Sequence, residues 1–215
     1  MFKLYQLLVI GYNYMVLSNK KAYPEICLKI LKDLEENLPD HLTYHSLDHT
    51  IDVANVCNHY IERLNIDEEM AKLLRIAAIS HDYGYIVSPI NHEERSIIAI
   101  EPYVKNVLTE EEINIVNGLI RATKVPQQPK TFYEEIIADA DLDYLGRKDY
   151  DVLSEKLYQE FNYFDFVSDH TEWLNLQIKF LEKHKYHTQF AQTHREKIKA
   201  KKLKELKTTL LAKNT

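Results

Sequence analysis

The sequence predicts an all-α protein folded as a compact helical bundle, and three observations support this. Glycine occurs only 4 times and proline only 6 times in 215 residues. Long stretches are rich in Leu, Ile, Lys, Glu and Ala, which favour helices over a turn-rich β fold. Apolar residues recur at intervals of three and four, with short breaks between the segments. A chain of this length has enough material for one domain with a sizeable core.

The predicted helices carry start and stop signals. Pro24 lies in the first turn of one helix, and Thr109 with Glu112 forms a Thr-x-x-Glu capping box for another. The segment "VPQQPKT" is the most loop-like part of the chain. In order, we predict helices at residues 24–38, about 44–64, 68–82, about 91–107, 110–121, 132 to just before Gly146, about 149–162, about 168–185 and a final tail helix.

The chain divides into three segments in this interpretation. Residues 1–18 are an apolar segment, either a packing helix or a mis-assigned start, because it falls short of the ~20 apolar residues that span a bilayer. Residues 19–190 form the main domain. Residues 191–215 form a basic helix, in which Ile198, Leu203 and Leu206 give a weak apolar side that could pack on the body.

The net charge of −6 is unevenly distributed. Residues 195–207 contain seven basic and two acidic side chains, a local charge of +5, so the rest of the chain carries −11. Nucleic-acid binders normally have a broad basic face, so the acidic body argues against a nucleic-acid partner. We expect no membrane partner either.

The two cysteines, Cys27 and Cys57, are thirty residues apart and form no CxxC motif. This usage suits a reducing compartment and argues against a disulfide framework or a thiolate zinc site. We therefore expect a cytoplasmic protein.

Histidines and aspartates lie at or near the ends of three predicted helices. Two histidines four residues apart lie on one helix face, and three aspartates at one helix C-terminus oppose the macrodipole unless a cation compensates. Imidazole and carboxylate together suit a divalent ion of Mn, Fe, Ni, Zn, Co or Mg. The residues are His45 and His49, then His81 and Asp82, then Asp139, Asp141 and Asp143.

In this order, these residues resemble the H…HD…D signature of the HD superfamily of metal-dependent phosphohydrolases. The resemblance covers about residues 41–190 and includes "YHSLDHT", "HDYGY", "NHEERS", "IRATK" and "DADLDYLGR", which are similar to stretches of one branch of small HD proteins. The Gly-Tyr-Pro motif of the cyclic-dinucleotide branch is absent. The resemblance therefore implies phosphoester hydrolysis without naming a substrate.

The resemblance implies a role for each matching residue. His49, His81, Asp82 and Asp141 would be the metal ligands, with Asp141 preferred to Asp139 because "ADL" at 140–142 is similar to the family's last-ligand segment. Asp139 would then support the ligands. His45 matches a histidine that protonates the leaving oxygen in the cyclic-nucleotide phosphodiesterase branch.

The proposed chemistry follows from a bound divalent ion, which lowers the pKa of its water from 15.7 toward ~7. Asp82 would position or deprotonate that water, and His45 would act as general acid. Arg121 and Lys124 are candidates for stabilising the phosphoryl charge; alternatively, they are surface charges near a helix end.

Four further residues have two interpretations each. Asp52, one turn after His49, either orients the His49 imidazole or is a solvated carboxylate. His92 could ligate a second metal, and Glu93 or Glu94 could act as a base or hold a water. Alternatively, the same stretch is an exposed helix start with Asn91 as its N-cap.

The leading function is hydrolysis of a small phosphomonoester or phosphodiester, in a nucleotide or related molecule. The competing hypothesis is a sensor or interaction module whose pocket binds metal and ligand without turnover. A purely structural scaffold would leave the aspartate cluster unexplained. The sequence does not decide between one and two metals, or between a monomer and a homodimer.

Overall fold

The computed structural model describes residues 16–213, and within that range the protein contains nine α-helices and no strand. The prediction of an all-α bundle is confirmed. Three short 3-10 helices, at Lys20–Ala22, Tyr83–Ile86 and Asp143–Gly146, lie between the α-helices. The α-helices are α1 (Glu25–Asn37), α2 (Leu47–Arg63), α3 (Glu68–Ser80), α4 (His92–Val104), α5 (Glu110–Ala122), α6 (Phe132–Asp141), α7 (Tyr150–Tyr163), α8 (His170–Lys183) and α9 (Gln189–Lys213).

Helix α3 lies at the centre of the bundle. All residues from Leu73 to Ser80 are buried, and the helix packs against α1, α2, α5 and α6. A helix that is apolar on all sides belongs in the interior, where neighbouring helices cover every face. Because α3 ends at Ser80, the adjacent His81 and Asp82 emerge from the middle of the core.

Side-chain caps fix several helix starts. The predicted capping box is present at α5, where the Thr109 hydroxyl accepts from Glu112 N and the Glu112 carboxylate accepts from Thr109 N. The carboxylate of Asp67 caps α3 by accepting from Met70 N at 2.9 Å. Such caps satisfy backbone N–H groups that have no partner inside the helix.

Helix α2 begins at Leu47, three residues later than predicted, so His45 lies outside the helix. The physical reason is Glu160 on α7, whose Oε2 accepts from the backbone N–H groups of both Tyr44 and His45 at 3.0 Å. These bonds hold residues 44–46 outside the helix. The prediction that His45 and His49 share one helix face is therefore wrong, although their ring centroids are 5.7 Å apart.

The basic tail helix α9 packs on the body, against α8 and the Asp143–Gly146 turn. A Cβ on Gly146 would lie 2.5 Å from the Arg195 Cβ, so only glycine allows this close approach. Leu203 and Leu206 pack on the core, whereas Ile198 is 39% exposed. The predicted boundary between residues 190 and 191 falls inside α9.

Two other sequence predictions concern the ends and the cysteines. The predicted apolar segment 1–18 lies almost entirely outside the described residues. Both cysteines are buried and unpaired, and burial raises the pKa of each thiol to about 12. Among residues 16–213, the helices are too short or too polar to cross a bilayer.

Candidate metal centre

Three helices bring four imidazole and carboxylate groups to one point. His49 comes from the first turn of α2, His81 and Asp82 follow the end of α3, and Asp141 is the last residue of α6. The His49 Nε2 atom lies 3.3 Å from Asp82 Oδ2 and 3.4 Å from Asp141 Oδ1. The His81 Nε2 atom lies 3.2 and 3.4 Å from the same two oxygens. We call these four residues the ligand cluster.

The spacing in the ligand cluster fits one small cation. Two donors that each lie about 2.1 Å from one ion are about 3.0 Å apart at a right angle and about 3.4 Å apart at a tetrahedral angle. The ligand-type atoms of His49, His81 and Asp141 all lie within 4.8 Å of one another. The donor atoms of the ligand cluster are therefore spaced as the ligands of a single divalent ion are.

Buried polar atoms of the ligand cluster also lack hydrogen-bond partners. His49 Nε2, His81 Nε2 and Asp82 Oδ2 are fully buried and unsatisfied. Leaving such groups unpaired is costly. The His81 Nδ1–H donates to the Ala78 carbonyl at 3.0 Å, which leaves the Nε2 lone pair directed at the two carboxylates, as a metal-ligating histidine requires.

The protonation of the ligand cluster follows from the same geometry. Burial alone would lower the pKa of His49, but its contacts with Asp141 and Asp82 raise that pKa to about 9. Burial would also lower the pKa of His81, but the neighbouring Asp82 and Asp141 raise that pKa well above its usual value. Burial would raise the pKa of Asp141, yet the two histidines lower it to about 2. Without a cation, protons on the histidines compensate the carboxylates.

His92 and Glu93 lie beside the ligand cluster. His92 Nε2 is 3.4 Å from Asp82 Oδ1 and 3.5 Å from Glu93 Oε1, and its Nδ1–H donates to the Pro89 carbonyl at 3.1 Å. Glu93 is only 4% exposed, and its Oε2 has no hydrogen-bond partner. The two oxygens of the Asp82 carboxylate therefore have different neighbours. Oδ2 lies near His49 and His81, and Oδ1 lies near His92.

The alternative interpretation of this stretch as an exposed, capped helix start is wrong for Glu93, which is buried. Asn91 precedes α4 with φ 52°, in the left-handed region, and its side chain makes no capping hydrogen bond. Glu94 does lie at the surface, where it pairs with Arg121.

His45 lies at the edge of the ligand cluster with a carboxylate behind it. Its Nδ1 contacts Glu160 Oε1, and its Nε2 lies 3.0 Å from the Tyr85 hydroxyl, whose ring stacks on the imidazole. Burial would raise the pKa of Glu160, but the hydrogen bond from His45 and those from the backbone lower it. Sequence reasoning missed Glu160 because it is 115 residues from His45 and lies in no motif.

Two predicted supporting aspartates have other partners. Asp52 pairs with Arg147, at 3.0 Å to Nη1 and 2.9 Å to Nη2, and within residues 16–213 it makes no hydrogen bond to His49. Asp139 accepts from His187 N and Thr188 N at 2.8 Å and from the Thr188 hydroxyl at 2.7 Å. It therefore secures the start of α9. Residues two apart on a helix do not face each other, so Asp139 cannot support the Asp141 side of α6.

The two predicted phosphoryl-binding cations differ in their surroundings. The Arg121 guanidinium forms a bidentate pair with Glu94, at 2.6 and 2.8 Å, on the surface. This pairing supports the alternative interpretation of Arg121 as a surface charge near a helix end. Lys124 lines the cavity, and its Nζ lies 3.4 Å from Asn91 Oδ1.

A cavity of about 440 Å³ opens beside the ligand cluster. One end is polar and is formed by His45, Asp82, His92, Glu93, Lys124 and Asp141. The other end is formed largely by aromatic and aliphatic side chains of α7 and α8. A volume of this size matches a small organic ligand.

The fold and the ligand cluster together define the class of this protein: an all-α bundle with a buried candidate metal site. Residues 46–143 match the family model for the HD domain. This match supports an HD-superfamily protein, and HD-domain proteins are generally phosphohydrolases. No curated protein and no solved structure matches the chain.

Proposed function

We propose that the protein hydrolyses a phosphomonoester or phosphodiester bond in a nucleotide or related small molecule, in a reaction that requires a divalent metal ion. The observation that carries the proposal is the set of buried, unpartnered donor atoms on His49, His81 and Asp82, aimed at one point beside a ligand-sized cavity. The HD domain match supports the same class of activity.

The proposed ligands are His49, His81, Asp82 and Asp141, which fit an ion of Mn, Fe, Ni, Zn, Co or Mg. A bound ion of this kind lowers the pKa of water and neutralises phosphoryl charge. Asp82 Oδ1, His92 Nε2 and the buried Glu93 carboxylate offer donors for a second ion next to the first. The contacts and burial of His92 and Glu93 therefore favour a second metal site over the alternative of a solvent-exposed helix start.

The chain's own residues would supply the remaining steps. Asp82 orients the attacking water toward phosphorus, and the Lys124 ammonium attracts a phosphoryl oxygen. His45 donates the Nε2 proton to the departing alkoxide, while Glu160 holds the imidazole through Nδ1. The Glu160–His45 pair thus serves the leaving group and not the ion.

The experiment is a phosphate-release screen over nucleotides and small phosphoesters with added Mn²⁺, Co²⁺, Ni²⁺ or Mg²⁺. Asp82→Ala is expected to lose both bound metal and phosphate release. The matched control is Asp40→Ala, which removes an exposed carboxylate and is expected to keep both. Activity and metal that survive in Asp82→Ala would refute the proposal. Metal binding without phosphate release by the intact protein would favour a sensor module instead.

A further inference from the structure

The cavity continues past the ligand cluster into an apolar chamber on α7 and α8 that the phosphoryl chemistry does not use. Its walls are large side chains that are wholly or partly buried, and Phe161 and Trp173 meet edge to face at 5.4 Å. Flat rings pack well against such surfaces. The chamber is lined by Tyr144, Tyr150, Leu157, Phe161, Trp173 and Phe180.

One polar side chain in the chamber, Gln177, has a fixed orientation. The Trp173 indole N–H donates to Ser154 Oγ at 3.2 Å, so the Ser154 hydroxyl proton is free to donate to Gln177 Oε1, at 2.6 Å. The Tyr150 hydroxyl donates to the same oxygen at 2.8 Å. Two donors therefore hold the amide oxygen.

The amide nitrogen of Gln177 is left for a ligand. Within the part of the chain that the structure describes, Gln177 Nε2 makes no hydrogen bond, and the residue lines the cavity. A site built to donate a hydrogen bond discriminates against ligands that lack the acceptor, because its polar group is then left unpaired.

The charge of the cavity limits the number of phosphoryl groups. Among the described lining residues, Lys124 is the only lysine or arginine, whereas Asp82, Glu93 and Asp141 are acidic. Nearby Arg121 is already paired with Glu94. A triphosphate, with about four negative charges, would need more cationic partners than this. A single phosphoryl group matches the one lysine and the ions proposed for the ligand cluster.

We propose that the substrate is a phosphomonoester with one phosphoryl group, whose alcohol carries a flat ring seated against Trp173 and a ring acceptor that receives the Gln177 Nε2–H. This inference rests on the proposed function for the position of the phosphoryl group. Gln177 is then the residue that determines ring specificity.

The hydrolysis test compares four compounds with the metal-loaded protein: uridine 5′-monophosphate, phenyl phosphate, glycerol 3-phosphate and uridine 5′-triphosphate. The expected kcat/KM is highest for the monophosphate, roughly tenfold or more above glycerol 3-phosphate because the ring is lost. Gln177→Leu should reduce the preference for uridine monophosphate over phenyl phosphate by about tenfold. Gln189→Leu, the same change at an exposed position, should leave that preference unchanged.

A second measurement separates failure of this inference from failure of the proposed function. Trp173 is the only tryptophan in the chain, so its fluorescence, excited at long wavelength and corrected for absorption by the ligand, reports directly on the chamber. Phosphate-free uridine should change it saturably, and Gln177→Leu should weaken that binding by about tenfold.

The outcomes are distinct. If none of the four compounds is hydrolysed but uridine changes the Trp173 fluorescence, the proposed function fails and the ring subsite stands. If uridine leaves the fluorescence unchanged, or Gln177→Leu binds it as well as the native chain does, the ring subsite is overturned. Preference for glycerol 3-phosphate or the triphosphate would overturn it as well.

Discussion

Two clusters of buried and partly buried charged side chains lie close together in this protein, and they differ in how their carboxylates are compensated. The ligand cluster contains Asp82 and Asp141, and among residues 16–213 their close basic partners are all histidines. The second, which we call the arginine cluster, is formed by Asp52, Asp143, Arg147, Arg195 and Tyr60. There Arg195 Nε lies 2.8 Å from Asp143 Oδ1, and Arg147 contacts both Asp143 and Asp52.

Asp141 and Asp143 are two residues apart and come from the same motif, yet they belong to different clusters. Asp143 receives permanent cations from α9 and from Arg147, so its charge is balanced within the chain. In the described part of the chain, the close basic partners of Asp141 are His49 and His81, which can release their protons to solvent when a metal binds. A buried carboxylate therefore indicates a binding site when its compensating charge is a histidine proton, which can be lost. It indicates a structural ion pair when the compensating charge is an arginine, which stays charged.

His45 sharpens this comparison because its carboxylate partner, Glu160, is part of the chain. His45→Ala is expected to lower kcat by roughly 10²–10⁴, the usual contribution of a general acid, since the leaving alkoxide loses its proton donor. The bound metal should remain, which elemental analysis of the same preparation checks. If His45→Ala keeps the full rate, His45 is not the general acid. If His45→Ala loses the metal, His45 belongs to the ligand cluster.

The arginine cluster should respond in its stability and not in its metal content. Asp143→Ala is expected to lower the free energy of unfolding by about 3 kcal/mol, the lower end for a broken buried pair because Arg147 keeps other partners. Chemical denaturation measures this effect. The control Asp151→Ala removes the exposed partner of Lys202 and should cost less than about 1 kcal/mol. A metal-depleted but fully stable Asp143→Ala protein would contradict the division into two clusters.

The two clusters should also differ in their dependence on pH. In the metal-free protein the pKa of His49 is raised to about 9 and that of His81 is raised well above its usual value, so both imidazoles favour the protonated form near neutral pH. A metal needs them neutral, so binding releases protons and the affinity should rise as pH increases from 6 to 9.

The expected slope is about tenfold per pH unit for each proton displaced. Competition with a chelator at several pH values measures it, and Asp143→Ala should show the same slope as the native chain. An affinity that falls or stays constant over this range would show that the histidines do not exchange protons for metal.

The helical class and the helix order were predictable from the sequence because they depend on local signals such as spacing and caps. The capping box of Thr109 and Glu112 is one example, since both partners lie within one turn. The start of α2 was predicted three residues too early, because Glu160 on a distant helix holds residues 44 and 45. Such a contact leaves no local signal.

The candidate site was predictable in its motif residues and not in their partners. The resemblance identified His49, His81, Asp82 and Asp141, and the structure brings them together. The sequence could not reveal that Asp52 pairs with Arg147 or that Asp139 secures the start of α9. In both cases the partner residues lie far from the aspartate along the chain. The apolar chamber with Gln177 was also missed, since α7 and α8 carry no recognisable motif.

The most direct test of the account is the metal content of three proteins purified identically and loaded with Mn²⁺: the native chain, Asp141→Ala and Asp143→Ala. We expect the native chain and Asp143→Ala each to retain on the order of one ion or more per chain, and Asp141→Ala to retain far less because it loses an anionic ligand. A native chain that binds no divalent ion, or equal metal content in all three proteins, would contradict the assignment of Asp141 to the metal site.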